Sequence, residues 1–218
     1  MCKKNSRIRL LLTFLAITLI QYVGNGQEVI NDFQTRTEVK LSFKPLKNLK
    51  INFTPELRFN NNLQFDQYLV EGEAAYSPLK LLTVGAAYRF RGNLNKSSEI
   101  NYFNRYELYT EVKKKIERFS PAFQLKYSNS DDDESNHQFM RYKATLDYNI
   151  RKCKLTPELG VEAFHDLSES NFYKMRYIAG LDFKLFKNNW IGLTYKFDYY
   201  LQEYRNKHIF SIGYKIKF

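Results

Sequence analysis

Apolar and polar residues alternate along most of the chain beyond Asn31. Between residues 32 and 44, one set of alternate positions is largely apolar and the other is polar or charged: Phe33, Thr35, Thr37, Val39, Leu41 and Phe43 against Gln34, Arg36, Glu38, Lys40, Ser42 and Lys44. Successive side chains of a β-strand point to opposite faces, so a period of two predicts strands with one apolar and one polar face. Amphipathic helices need apolar residues at i, i+3 and i+4, and no long window has that spacing.

The alternation divides the chain into eleven segments of about 10 to 13 residues, near 32–44, 49–60, 66–77, 79–91, 101–113, 118–128, 138–149, 153–164, 172–185, 190–200 and 208–218. Strands of soluble domains average about five or six residues, whereas a tilted strand that crosses a bilayer needs about 9–11. The lengths predict an all-β fold, an antiparallel up-and-down transmembrane β-barrel of about 10–12 strands. Bacterial single-chain barrels usually have even strand counts, so we expect an even number.

The connections between the segments are predicted to alternate between short turns and longer polar loops. That parity is typical of outer-membrane barrels, whose short turns face the periplasm. One long connection contains an acidic run at 131–134, which we interpret as a solvated loop rather than a cation site. Pro55, Pro121 and Pro157 lie inside regular segments and each removes a ladder donor, so we expect bulges or fraying there.

The apolar face is ordered along the strands. Aromatic residues lie toward the segment ends, and small or aliphatic residues such as Ala86, Ala144 and Leu181 lie in the middle. Aromatic side chains favour the membrane–water interface, so this order predicts two girdles on a barrel surface in contact with outer-membrane lipid. The last segment, HIFSIGYKIKF, ends on Phe218 and is similar to the signal read by the barrel-assembly machinery.

The first 26 residues are predicted to be a secretory signal peptide, followed by the barrel at 27–218. Lys3, Lys4, Arg7 and Arg9 form a basic region, residues 8–20 are apolar apart from Arg9, Thr13 and Thr18, and Gly24 and Gly26 follow. The apolar run is about 13 residues, shorter than the roughly 20 that a membrane-spanning helix requires. We therefore expect an exported protein located in the bacterial outer membrane.

Charge and cysteine content narrow the function classes. The formal net charge of +11 raises the question of nucleic acid, but the cations alternate with apolar residues or cluster in turns, and we expect no nucleic-acid partner. Only Cys153 follows the predicted leader, so the chain has no cysteine cluster for a metal and no internal disulfide. No motif predicts a cofactor.

On a membrane barrel the polar face points inward and carries charges of both signs. The predicted lumen-lining residues are Arg58, Arg89, Arg105, Arg141, Arg176, Glu56, Glu107 and Glu162, and Arg36, Lys126 and Asp198 share their face. Cross-strand pairs of opposite charge stabilise a sheet. Ten to twelve strands leave little space once long side chains fill the interior, so we expect a mostly occluded lumen, with a narrow anion-preferring path as the alternative.

Three histidines, His137, His165 and His208, lie at the predicted outer rim. Outer-membrane barrels that hydrolyse lipid or peptide bonds usually place a base such as histidine near a serine or carboxylate. None of the three belongs to a recognised signature, and we interpret them as loop-edge residues. No residue is predicted to be catalytic.

Several segments resemble a Bacteroidota outer-membrane family known as domain of unknown function 2490. They include PELRFNNN (55–62), GAAYRFRG (85–92), NRYELYTEVKKK (104–115), MRYKATLDYNI (140–150), KLTPELGVEAF (154–164), MRYIAGLDF (175–183) and HIFSIGYKIKF (208–218). The recurring element is an arginine next to an aromatic residue on an alternating strand. The resemblance implies an outer-membrane barrel and implies no particular chemistry.

The sequence thus favours a non-enzymatic outer-membrane barrel, either structural or a narrow pore for small polar solutes. Two alternatives remain. One is a lipid- or peptide-modifying enzyme with His165 or His137 as its base. The other is a soluble periplasmic binding barrel with the apolar face turned inward.

Overall fold

The alternating segments form one closed barrel of eleven β-strands. The computed structural model describes residues 29–94, 100–131 and 137–218, so the predicted signal peptide at residues 1–26 lies outside the described residues. The strands are β1 (Ile30–Leu46), β2 (Leu49–Phe59), β3 (Phe65–Tyr76), β4 (Leu82–Leu94), β5 (Ile100–Lys113), β6 (Phe119–Ser128), β7 (Phe139–Tyr148), β8 (Leu155–Asp166), β9 (Asn171–Phe186), β10 (Asn189–Tyr200) and β11 (Arg205–Lys217). Among the described residues, no helix is long and apolar enough to cross a membrane.

The barrel closes between its first and last strands. Each strand pairs with its neighbours in sequence, and β1 pairs with β11. This last pairing is parallel and runs from Ile30 opposite Arg205 to Ser42 opposite Lys217, whereas the other ten pairings are antiparallel. The predicted all-β barrel is confirmed, but the expected even strand number is wrong. With eleven strands, the first and last run in the same direction, so the seam is necessarily parallel.

The apolar face of the sheet is the outer surface of the barrel. Ala86, Ala144 and Leu181 are exposed on the outside. By contrast, Glu162 is 3% exposed, and the Arg89 side chain is 17% exposed. The orientation needed for a barrel in lipid is therefore present, and the alternative with the apolar face inward is wrong.

Outward-facing aromatic rings pair near both ends of the barrel. At one end Phe33 stacks on His208 with ring centroids 4.7 Å apart. At the other end Phe43 stacks on Phe218 at 4.8 Å, and Phe119 contacts Tyr148 at 4.9 Å. These pairs bridge adjacent strands, as the two predicted girdles require.

The two rims are made of alternate connections. The turn rim consists of residues 47–48, 77–81, 114–118, 149–154 and 187–188, and the loop rim of residues 60–64, 95–99, 129–138, 167–170 and 201–204. The loops exceed the turns in length by less than the sequence predicts, because strand pairing extends into most of the loops. Only the connection 129–138 is distinctly longer than the turns, and the two-residue connections 47–48 and 187–188 are both on the turn rim.

The prolines inside the strands do not interrupt the barrel. Pro55 pairs with Val70, Pro121 with Leu146 and Pro157 with Leu181, with no shift of register at any of the three. The predicted bulges at these positions are therefore wrong. Each proline costs one ladder hydrogen bond, but the neighbouring bonds on both sides of a closed sheet hold the register.

A pair of substitutions on adjacent residues tests the orientation of the faces. Ala86 points outward at mid-strand and Ala87 points into the barrel beside a polar cavity. Ala86→Arg is expected to lower the free energy of unfolding by about 2–4 kcal/mol, because it places a cation in the hydrocarbon layer. Ala87→Arg is expected to cost clearly less. Urea unfolding in phospholipid vesicles measures both, and a larger loss for Ala87→Arg would contradict the orientation.

Candidate functional site

The interior of the barrel is densely filled in the half nearest the loop rim. Its side chains that are less than 2% exposed are Arg58, Leu69, Ser128, Phe139, Phe164, Lys174, Asp198, Tyr200 and Ile209. A side chain that borders a water-wide passage is reached by solvent, and these are not. The described interior is thus closed at this level by side chains from most of the strands.

The centre of this filled half is a closed series of ion pairs that we call the charge circuit. Its members alternate in sign and every one is buried: Arg105, Glu107, Arg141, Glu162, Arg176, Asp198, Lys174 and Asp131. Each member contacts an oppositely charged member on both sides. The circuit therefore has four cations and four anions and no formal net charge.

The distances follow the circuit around. The Nε atom of Arg105 is 3.0 Å from Oε1 of Glu107, which is 3.3 Å from Nη1 of Arg141. Nη2 of Arg141 is 2.8 Å from Glu162, and Nη1 of Arg176 is 3.8 Å from the other oxygen of Glu162.

Arg176 then makes the best-formed pair of the circuit. It donates two hydrogen bonds of 2.6 Å to the two carboxylate oxygens of Asp198. The Lys174 ammonium lies 3.5 Å from Asp198 and also contacts Asp131, and Asp131 is 3.9 Å from Arg105. These last contacts complete the circuit. Bidentate pairs of this kind are among the stronger charge-assisted hydrogen bonds.

Strand register explains why these side chains meet. Glu162 of β8 lies opposite Arg176 of β9, which lies opposite Asp198 of β10. The three therefore form a row across three strands on the inner face. Residues directly opposite each other in a sheet have Cβ atoms about 4.5–5.5 Å apart, close enough for their charged ends to pair.

A buried aromatic ring occupies the middle of the circuit. The Phe164 ring lies 4.5 Å from the Arg141 guanidinium, 4.9 Å from that of Arg176 and 4.8 Å from the Lys174 ammonium. Cations over an aromatic face are stabilised, most strongly where water is excluded. Phe139, Tyr173 and Tyr200 pack with Phe164 as a small apolar cluster. The cations are thus held by rings as well as by carboxylates.

Asp131 corrects one prediction from the sequence. It begins the acidic run 131–134, which we interpret from the sequence as a solvated loop, yet Asp131 is 2% exposed; residues 132–134 lie outside the described residues. Its carboxylate contacts Lys174 of β9 and Arg105 of β5. Two buried cations attract this first carboxylate of the run into the barrel. Asp131 thereby anchors the start of the longest loop across the interior.

A second set of charges lies on the strands next to the seam. Glu56 accepts a 2.6 Å hydrogen bond from Arg58 and lies 3.7 Å from Arg36. On the neighbouring strands, Arg89 pairs with Glu71 at 2.5 Å. These side chains fill the side of the interior that the charge circuit does not occupy.

The half nearest the turn rim is open. A cavity of about 310 Å³ is lined mainly by β1 and β8 to β11, and a second of about 400 Å³ mainly by β2 to β7; Lys40 borders both. The first cavity owes part of its space to glycines on three adjacent strands. A Cβ atom at Gly192 would lie 2.7 Å from Asp182, and one at Gly213 would lie 3.1 Å from Glu38. Because these positions are glycines, no side chains project from this part of the wall into the cavity.

The eight residues predicted to line the lumen lie in these interior clusters. Five of them belong to the charge circuit: Arg105, Glu107, Arg141, Glu162 and Arg176. Glu56, Arg58 and Arg89 belong to the charges near the seam. The prediction placed Asp198 on the same face as these eight residues but omitted Lys174 and Asp131. Alternation places Lys174 and Asp198 on the inner face, whereas Asp131 has no signal in the strand pattern because it lies in a loop.

The three histidines are separated from one another. His165 packs against Phe172, and His208 on the outer surface contacts the Tyr195 hydroxyl at 2.7 Å. His137 lies 2.5 Å from the Asp166 carboxylate, which also accepts the backbone N–H groups of Ser168 and Glu169. Asp166 therefore ties the start of the connection 167–170 to the loop before β7. In the described residues, no group of His, Cys, Asp and Glu side chains has the arrangement of a metal site.

The fold and its polar, charge-paired interior define the class: an outer-membrane-type β-barrel. The family described as "Protein of unknown function (DUF2490)" matches residues 33–208, so the chain belongs to that family and the resemblance is confirmed. A comparison with curated proteins finds no match.

Solved structures show the same kind of barrel. A KdgM porin in complex with disordered oligogalacturonate is 13% identical with a TM-score of 0.50, over 76% of this chain and 90% of that chain. A second KdgM porin structure is also 13% identical, with a TM-score of 0.47 over 84% of this chain and 94% of that chain. At this identity the likeness concerns the fold alone.

Substitutions at the Arg176–Asp198 pair test whether the circuit stabilises the barrel. Arg176→Ala alone is expected to lower the free energy of unfolding by about 3–5 kcal/mol, because it leaves Asp198 buried with a weaker partner. In Arg176→Ala with Asp198→Ala, Glu162 keeps Arg141 and Lys174 keeps Asp131. This double variant is expected to lower the free energy of unfolding by less than the sum of the two single alanine variants. Chemical unfolding in vesicles gives all values, and simple additivity would contradict the coupling.

Proposed function

We propose that this protein is an outer-membrane barrel that acts as a narrow pore for small polar solutes, with its constriction at the charge circuit. The observation that carries the proposal is the closed series of eight buried, alternating charges that fills the loop-rim half. An interior filled by side chains allows no free passage to a large solute. It also differs from a dry apolar core, because each charged member of the circuit can exchange an ion-pair partner for a polar solute.

The arrangement of the interior supports a constriction with an open vestibule. The two polar cavities, of about 310 and 400 Å³, lie on the turn-rim side of the circuit. They are large enough for a solute of a few non-hydrogen atoms with its hydration waters. The residues we propose to line the narrow path are Arg58, Arg89, Arg105, Arg141, Arg176, Glu56, Glu107 and Glu162.

The proposed solute is small and polar, with at most a weak preference for anions. The circuit carries four cations and four anions, and each guanidinium is already occupied by a carboxylate. A fixed excess charge at a constriction selects ions of the opposite sign; the circuit has none, but Lys126 also pairs with Glu107, and the proposed path has more arginines than glutamates. One KdgM porin structure contains oligogalacturonate; the filled interior described here favours smaller solutes.

We further propose that the chain is exported by residues 1–26 and that the turn rim faces the periplasm. Support for this orientation comes from the two-residue turns on that rim and from the ten-residue connection 129–138 on the other. The exposed apolar surface between two aromatic girdles fits the hydrocarbon layer of a bilayer, with outer-membrane lipid as its partner.

Single-channel recording on the refolded barrel in planar bilayers tests the constriction. The wild-type barrel is expected to show a small conductance, because side chains fill the loop-rim half. The double variant Arg141→Ala with Glu162→Ala removes a neighbouring pair without a change of net charge. Its conductance is expected to rise several-fold, because two long side chains leave the narrowest level.

The pair Lys113 and Asp147 provides the matched control. These side chains pair at 2.6 Å beside the turn-rim cavity of about 310 Å³. Lys113→Ala with Asp147→Ala therefore removes the same types of charge outside the constriction and is expected to leave the conductance unchanged. A wild-type conductance equal to that of the Arg141/Glu162 variant would sink the proposal.

The last strand is also proposed to guide assembly through its terminal aromatic residue. Phe218 stacks on Phe43, and its backbone N–H donates a 2.8 Å hydrogen bond to Ser42. If the barrel-assembly machinery reads Phe218 itself, Phe218→Ala reduces the amount of barrel in the outer membrane of growing cells. Phe43→Ala removes the same stacking and is expected to have a smaller effect. Equal losses would mean that the stacking alone matters.

A further inference from the structure

The turn rim is strongly basic. Its five connections contain nine cations, Lys47, Lys80, Lys114, Lys115, Arg118, Arg151, Lys152, Lys154 and Lys187, and a single carboxylate, Glu117. All nine cations are exposed. Every one of the five turns contributes at least one of them. The positive charge is therefore spread around the whole circumference of the barrel and is not a patch on one side.

Large apolar side chains accompany these cations. Leu46 precedes Lys47, Leu79 and Leu81 flank Lys80, and Phe186 precedes Lys187. Leu46, Leu79 and Phe186 are 66%, 64% and 61% exposed.

The two remaining turns have the same composition. Ile116 lies between Lys115 and Arg118 and is exposed, and Ile150 precedes Arg151 and Lys152. Each turn thus pairs a large apolar residue with an adjacent cation. Exposed side chains of this size are unfavourable in bulk water, so their recurrence at one level indicates an environment that is neither water nor hydrocarbon.

The opposite rim has the reverse charge. By sequence, its five connections contain one cation, Lys96, and seven carboxylates: Glu99, Asp131, Asp132, Asp133, Glu134, Glu169 and Glu203. General basicity of the chain therefore does not explain the turn rim. The cations are concentrated at one end of the barrel.

We infer that the turn rim is a binding surface for anionic phospholipid headgroups in the membrane leaflet that surrounds it. The inference rests on the membrane location in the proposed function. At the headgroup level, an apolar side chain inserts toward the acyl chains while the adjacent cation reaches the phosphate layer. Juxtamembrane lysines and arginines are attracted to anionic lipids in this way.

The geometry favours lipid over a soluble acidic partner. The cation–apolar pairs occur in all five turns, so a partner that uses them must encircle the barrel. A lipid leaflet does so without any specific shape. A soluble acidic protein would also leave the apolar residues that face away from it exposed to water.

The test compares the lipids that contact the barrel. The mature chain is reconstituted in vesicles of phosphatidylcholine and phosphatidylglycerol, and the association of spin-labelled versions of the two lipids is measured. The wild-type barrel is expected to prefer phosphatidylglycerol by at least about fivefold, the equivalent of roughly one headgroup contact. The preference is expected to fall at high salt, because exposed charges are screened.

Two matched variants identify the cations as the cause. Lys47→Gln, Lys80→Gln, Lys152→Gln and Lys187→Gln together neutralise four of the nine cations, one in each of four turns, and are expected to reduce the preference clearly. The same four positions changed to arginine keep the charge and are expected to retain it.

The outcomes separate this inference from the proposed function. Protease protection and heat-dependent gel mobility report whether the barrel has inserted, and conductance reports the pore. An inserted barrel that binds both lipids equally overturns the inference while the pore proposal stands, and it assigns the basic rim to an acidic soluble partner. A phosphatidylglycerol preference that is unchanged in the glutamine variant overturns it as well. A barrel that does not insert at all contradicts both proposals.

Discussion

A charge that leaves water needs an opposite charge at close range, and this requirement organises the interior of the barrel. The closed sheet has only two faces. Because the outer face is apolar, the charged residues of eleven strands are confined to a narrow space. Taking one ion out of water costs several kcal/mol unless a partner compensates. The charge circuit satisfies this condition with two partners for each member, and the rings around Lys174 and Arg176 exclude the water that would weaken the pairs.

The same requirement explains how a loop residue becomes part of the barrel interior. The strands bring Arg105 and Lys174 into the filled half, and Asp131 from the connection 129–138 contacts both. A loop carboxylate supplies what the strand register does not, so the ends of the circuit meet across the interior. The sheet and the circuit are closed by different contacts. The first depends on the parallel seam between β1 and β11, and the second on Asp131.

Alternation in the sequence was sufficient to predict the eleven segments, the outward apolar face and the inner position of residues such as Arg141 and Glu162. It was not sufficient for features that depend on pairing between distant segments. The parallel seam follows from strand number and not from a local pattern. The continuous register at Pro55, Pro121 and Pro157 reflects support from both neighbouring strands. Asp131 shows the same limit. An acidic run in a loop has no periodic pattern that would indicate that one of its carboxylates pairs with buried cations.

The two halves of the barrel differ, and in the pore that we propose this difference has one consequence for transport. The loop-rim half is filled and its circuit is electrically balanced, whereas the turn-rim half is open and leads to a basic rim. A solute that enters from the turn rim therefore reaches polar cavities before it meets an obstacle, and the obstacle is a network that is already satisfied. To pass, the solute must replace ion-pair contacts with contacts of equal quality. Small molecules that both donate and accept hydrogen bonds meet this demand, and larger or apolar molecules do not. In the proposed pore, the circuit would thus select by hydrogen-bonding capacity as well as by size.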